Sequence, residues 1–71
     1  MTTKQDDMLA LEEMVDRHGL YAVAGMLAEV CHEKADHLAT NWQDHTAALH
    51  WNKAGRVFAR AEVRLHDIQG V

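Results

Sequence analysis

Apolar residues recur every three or four positions along most of this chain, and the strict alternation of a half-buried strand is absent. Met8, Leu11, Val15 and His18 are spaced by three, four and three, with Glu12, Glu13 and Asp16 on the other side. This predicts a first helix over about 5–18. Leu20, Val23, Leu27, Val30 and the stem of Lys34 form one ridge of a second helix over about 20–39. Ala24, Cys31, Ala35 and Leu38 form its neighbouring ridge, so a broad face is buried. Trp51, Ala54, Phe58, Ala61, Leu65 and Ile68 recur as a heptad, the cleanest periodic signal in the chain, and predict a third helix over about 43–68. The expected fold class is all-α: one domain over residues 1–71, a compact three-helix domain built on the long hairpin of helices 2 and 3, with helix 1 packed across it.

The polar residues between these stripes supply the ends. Thr2 or Thr3 can cap helix 1, with Asp6 and Asp7 in its first turn against the positive end of the dipole. Gly19 ends it, because glycine adopts the left-handed conformation without a Cβ clash. Gly25 sits in the middle of helix 2 at a cost of about 1 kcal/mol relative to alanine, which a close helix crossing would offset. The turn into helix 3 is expected at Thr40-Asn41, where Thr40 and Gln43 fit a capping box. Asn41 or Asp44 are alternative caps. No glycine or proline lies between Gly25 and Gly55, so one unbroken helix through this corner is the competing architecture.

Composition agrees with helix: there is no proline, and Val and Ile are sparse beside Ala, Leu, Met, Glu, Lys and Arg. A core of this size supplies only about 3–5 kcal/mol, which favours pairing with another chain. A third helix of about 39 Å is roughly twice as long as the first, leaving Leu65 and Ile68 without a partner inside one chain. A homodimer with those residues near its interface is therefore expected. The formal net charge of −4 and pI of about 5.8 disfavour generic binding to nucleic acid or anionic membrane. Charge is also segregated: residues 1–36 carry eight acids and three bases, residues 37–71 four bases and three acids. The single cysteine, Cys31, excludes an internal disulfide and points to a reducing, cytoplasmic setting. The polar, acidic start of the chain is not that of a signal peptide, and no apolar run has the length of a membrane span.

Candidate chemistry is thin. Glu29-x-x-His32 has the spacing of a carboxylate-bridged di-iron ligand pair, but such sites need a second pair and two more inward carboxylates. His32, Glu33, Asp36 and His37 include two i, i+4 pairs that could hold a divalent ion at the surface. Solvated or hydrogen-bonded histidines are the plainer reading, so no metal and no cofactor are expected. Cys31 and His32 are adjacent on a helix and point about 100° apart, so they do not form a nucleophile and base. No phosphate loop, nucleophile elbow or catalytic acid pair is present, and no enzyme is expected. Lys53, Arg56, Arg60 and Arg64 line one face of helix 3 and could follow a phosphate backbone. A solvated face, or one paired with the acids of helices 1 and 2, is the expected role. Trp42 and Trp51 read as core, with Trp42 the better candidate for an exposed interface anchor.

His18-Gly19-Leu20, Val23, Leu27, Cys31, Glu33-Lys34-Ala35, His37-Leu38, Asn41-Trp42-Gln43-Asp44 and Trp51 together resemble a group of short, uncharacterised all-helical proteins of bacteria and phages. The resemblance covers about residues 8–62 and rests on the E-K-A-x-H-L-x-x-N-W-Q-D run. It implies a helical fold and a bacterial or mobile-element origin, and no particular activity. In size and acidity the chain is also similar to anti-CRISPR proteins and other phage inhibitors, a likeness without a shared motif.

The expected function is that of a small non-catalytic protein that binds a protein partner, in the manner of a phage inhibitor presenting an acidic surface to a basic nucleic-acid groove. Asp6 and Asp7 with Glu12, Glu13, Asp16, Glu29, Glu33 and Asp36 would supply the acids, and Trp42 an apolar anchor. A nucleic-acid module using the basic face of helix 3 and a histidine-based metal-binding protein are the alternatives.

Overall fold

A computed structural model describes residues 3–68, 70 and 71, and shows three helices: α1 Lys4–His18, α2 Leu20–Asn41 and α3 His45–His66. The all-α class and the hairpin of α2 and α3 are as the sequence predicts, with boundaries within two residues of the expected ones. Thr3 caps α1 with a full capping box. Its hydroxyl accepts from the Asp6 N–H at 3.2 Å, and the Asp6 carboxylate accepts from the Thr3 N–H at 3.3 Å. Thr2, the alternative cap, lies outside the described residues. Gly19 takes φ 90°, and its N–H donates to the Val15 carbonyl at 2.8 Å. It ends α1 and starts α2 in a single residue.

The corner between α2 and α3 lies later than Thr40-Asn41, both of which remain helical. The Leu38 carbonyl accepts from the N–H groups of Trp42 at 3.3 Å and Asp44 at 3.0 Å. Asp44, not Thr40, caps α3, accepting from the Ala47 N–H at 3.1 Å. The turn itself is made by Gln43 at φ 51°. A left-handed glutamine is sterically unfavourable, and no residue preference in the sequence announces it. The chain reverses here because the paired seam beyond the corner holds the two helices together.

That seam is built from small side chains. Ala24, Ala28, Cys31 and Ala35 of α2 and Ala48 and Gly55 of α3 are buried, and the one larger buried residue is Val23. Two glycines take the place of side chains that would collide. The Glu62 carboxylate lies over Gly25, and the His32 ring lies over Gly55, within 2.7 Å of where a Cβ would stand. The close approach expected at Gly25 is therefore a carboxylate laid on the helix.

Helix 1 does not pack across the hairpin. Of the two other helices it packs against α2 alone among the described residues, contributes no buried residue, and shares a small pocket with Gly70 and Val71 through Val15 and Asp16. The whole chain is a slab of 40 × 36 × 14 Å. Its radius of gyration is 14.2 Å, against about 11 Å for a globular chain of this length. The physical reason is the Gly19 corner. One residue of positive φ and extended ψ between two helices turns α1 away, so that it meets α2 and not α3.

Gly25→Ala is expected to be neutral or to stabilise by up to about 1 kcal/mol, since a flexible carboxylate can move away and helix propensity improves. Gly55→Ala is expected to gain nothing or to destabilise, because it unseats a ring held between two helices. Urea denaturation of both variants checks this; equal stabilisation by both would mean that the ring is not seated on Gly55.

Candidate protein-binding surfaces

Because α2 and α3 meet along small residues, the hairpin has two open faces, and helical periodicity decides what each carries. On the first, Gly25, Glu29 and His32 of α2 share a shallow groove with Ala59 and Glu62 of α3. The His32 Nδ1–H donates to Asn52 Oδ1 at 2.9 Å, tying the two helices at a half-buried position. His32 therefore lies at the interhelical seam, not at the surface where it was grouped with Glu33, Asp36 and His37 as a possible ion ligand. A mid-helix glycine opposite a long polar residue was the only trace of this arrangement in the sequence, for both His32 and Glu62.

The second face is apolar. Leu27, Lys34 and Leu38 fall on the opposite flank of α2 from Glu29 and His32, and the Lys34 ammonium stands 5.3 Å from the Trp51 ring centroid. Trp51, Ala54, Phe58, Ala61 and Leu65, the heptad of α3, occupy the matching flank. None of these five is buried: Trp51 is 37% exposed, and Phe58 and Leu65 are half-buried. Leu27 is 39% and Val30 47% exposed. Of the α2 ridge that the sequence assigned to a core only Val23 is buried, and the rest of it stands exposed beside the exposed or half-buried heptad of α3. Trp42 is 71% exposed at the hairpin tip, which corrects its reading as core and fits its reading as an exposed anchor.

The acids divide into two groups. Glu12, Glu13 and Asp16 are exposed on α1, which leaves the hairpin at Gly19, while Glu29, Glu33 and Asp36 are exposed along the outer edge of α2. Lys53, Arg56, Arg60 and Arg64 are exposed along the outer edge of α3. The two outer edges of the hairpin thus carry opposite charge.

The histidines do not converge. His37 accepts from the Asn41 amide at 2.8 Å, and His66 meets the Tyr21 ring edge-on at 5.0 Å, on different parts of the hairpin from His32. Among the described residues no three histidine, cysteine or acidic side chains gather where one ion could bridge them. Cys31 is buried in the seam, where a thiol packs as a small apolar group. No helix is long and apolar enough to cross a membrane among the described residues.

Comparison with protein-family models, with curated proteins and with solved structures returned no match to this chain.

These exposures set the cost of truncation. Trp42→Ala is expected to change stability by no more than about 0.5 kcal/mol, as for other surface positions. Phe58→Ala in the monomer is expected to cost less than the roughly 3–5 kcal/mol typical of a fully buried ring. Thermal melts at low protein concentration check both; a large loss from Trp42→Ala would mean that the tip is packed.

Proposed function

We propose that this chain is a non-catalytic binding module that acts by occupying the surface of another protein. One observation carries this reading: large apolar residues that an ordinary small domain would bury stand exposed (Leu27, Trp51) or half-buried (Phe58, Leu65) on one flank of the hairpin. Apolar faces of this kind on small proteins mark interaction sites. A foreign protein and a second copy of the chain both belong to this class of partner.

The outer edge of α2 supports a more specific version. Glu29, Glu33 and Asp36 stand exposed along it, with Trp42 at the end of the same helix. An acidic stripe ending in an aromatic anchor suits a basic groove of the kind that holds nucleic acid, as a phage-type inhibitor would. Charge complementarity then supplies speed and specificity of encounter, and the indole supplies residence time. The acids of α1 extend the same negative field.

The opposite outer edge favours a second reading. Lys53, Arg56, Arg60 and Arg64 lie exposed along α3 and could follow a phosphate backbone.

Affinity capture from the organism that encodes the chain, repeated with Glu29→Lys, Glu33→Lys and Asp36→Lys combined, separates the two readings. A discrete protein retained by the parent and lost by the triple variant, with helicity unchanged and binding weakened by salt, is the expected result. Undiminished capture by the triple variant would sink the acidic-edge reading. A mobility shift abolished by neutralising Arg56, Arg60 and Arg64 would replace it with the nucleic-acid one.

A further inference from the structure

We infer that the apolar face of the α2–α3 hairpin is covered by a second copy of this chain, and that α1 of each copy lies along α3 of the other. This rests on the reading of the chain as a protein-binding module and names the partner for one of its surfaces.

The first observation is the number of layers. A stable domain stacks at least two layers of secondary structure around its core. Among the described residues α1 packs against α2 and not against α3, so no helix of the chain lies over the α3 heptad from Trp51 to Leu65. The second is area. The chain exposes 5761 Å², where a folded monomer of 8.0 kDa exposes about 4,450 Å². The surplus of about 1,300 Å² exceeds the roughly 800 Å² that each partner contributes to a standard-size interface. It is therefore of the magnitude that a stable dimer removes from water.

What selects a second copy over a foreign protein is that this chain holds both halves of the complement. Helix α1 carries its own apolar stripe, Met8, Leu11 and Val15, with no buried residue in it. It is strongly acidic, with five acids against two bases, while α3 carries four bases against one acid. These oppositely charged helices make no packing contact within one chain. In an isologous dimer each surface is used twice about the two-fold axis, so a single exchange pairs acidic α1 with basic α3 on both sides. The stacked hairpins then form a two-layer, four-helix core from the faces of Leu27, Trp51, Phe58 and Leu65.

Analytical ultracentrifugation over a micromolar concentration series, with circular dichroism on the same samples, tests this directly. The expected mass is twice 8.0 kDa, with a melting temperature that rises with concentration. Two charge-swapped chains keep the test independent of core damage, since every altered residue is exposed. One carries Glu12→Lys, Glu13→Lys and Asp16→Lys; the other carries Arg56→Glu, Arg60→Glu and Arg64→Glu. Each alone is expected to dimerise at least about tenfold more weakly at low salt, because its α1 and α3 now share a sign. Mixed in equal amounts they are expected to regain parental affinity as a heterodimer, with basic α1 on acidic α3 and acidic α1 on basic α3. A folded monomer at every concentration overturns the inference. So does a dimer indifferent to both swaps, or a mixture that fails to associate. A monomeric chain that still captures a foreign protein overturns this inference alone and leaves the binding reading in place. A dimer that captures nothing supports this inference and counts against the acidic-edge reading.

Discussion

The structure depends on a seam of small residues. Ala24, Ala28, Cys31 and Ala35 meet the α3 surface around Ala48 and Gly55, and their size lets two helices of about 33 Å approach closely along their length. Close approach buries backbone and methyl groups but almost no large side chain. Leucine, phenylalanine and tryptophan are pushed to the flanks of the seam, where they line a face instead of filling a core. The thinness of the chain and its surplus exposed area both follow from this choice of residues at the crossing.

The same seam explains the polar groove. Where Gly25 and Gly55 leave no Cβ, the Glu62 and His32 side chains from across the seam lie down on the opposite helix. The hydrogen bond from His32 to Asn52 fixes the register of the hairpin at a point where apolar packing is weak. A directional contact is useful there because a stripe of alanines slides easily, each methyl being much like the next. The polar face thus aligns the two helices, and the apolar face remains available for another chain.

Charge follows the helices in a way that one chain alone does not use. Acidic α1 and basic α3 are kept apart by the Gly19 corner, and the outer edge of α2 is acidic while that of α3 is basic. Sequestered opposite charges favour ordered association over random clustering, since a misaligned pair places like charges together. In the proposed dimer this arrangement would supply specificity at low cost in buried charge.

The helical class, the three segments, the Thr3 and Gly19 boundaries and the buried place of Cys31 were all legible in the sequence. Each is set locally, by periodicity, by a cap within three residues, or by a glycine at positive φ. The exposed acids and the exposed basic stripe were legible for the same reason, since a helix places residues three and four apart on one side wherever it packs. The heptad from Trp51 to Ile68 was legible as a stripe but not as a surface, because periodicity says which side chains share a face and not whether anything covers that face. The same limit applies to Trp42, to His32 at the seam and to left-handed Gln43. Tertiary structure decided these: the direction in which Gly19 sends α1, and the closeness that small residues allow between α2 and α3. Both are relations between one helix and the next, and the periodicity within a single helix does not encode them.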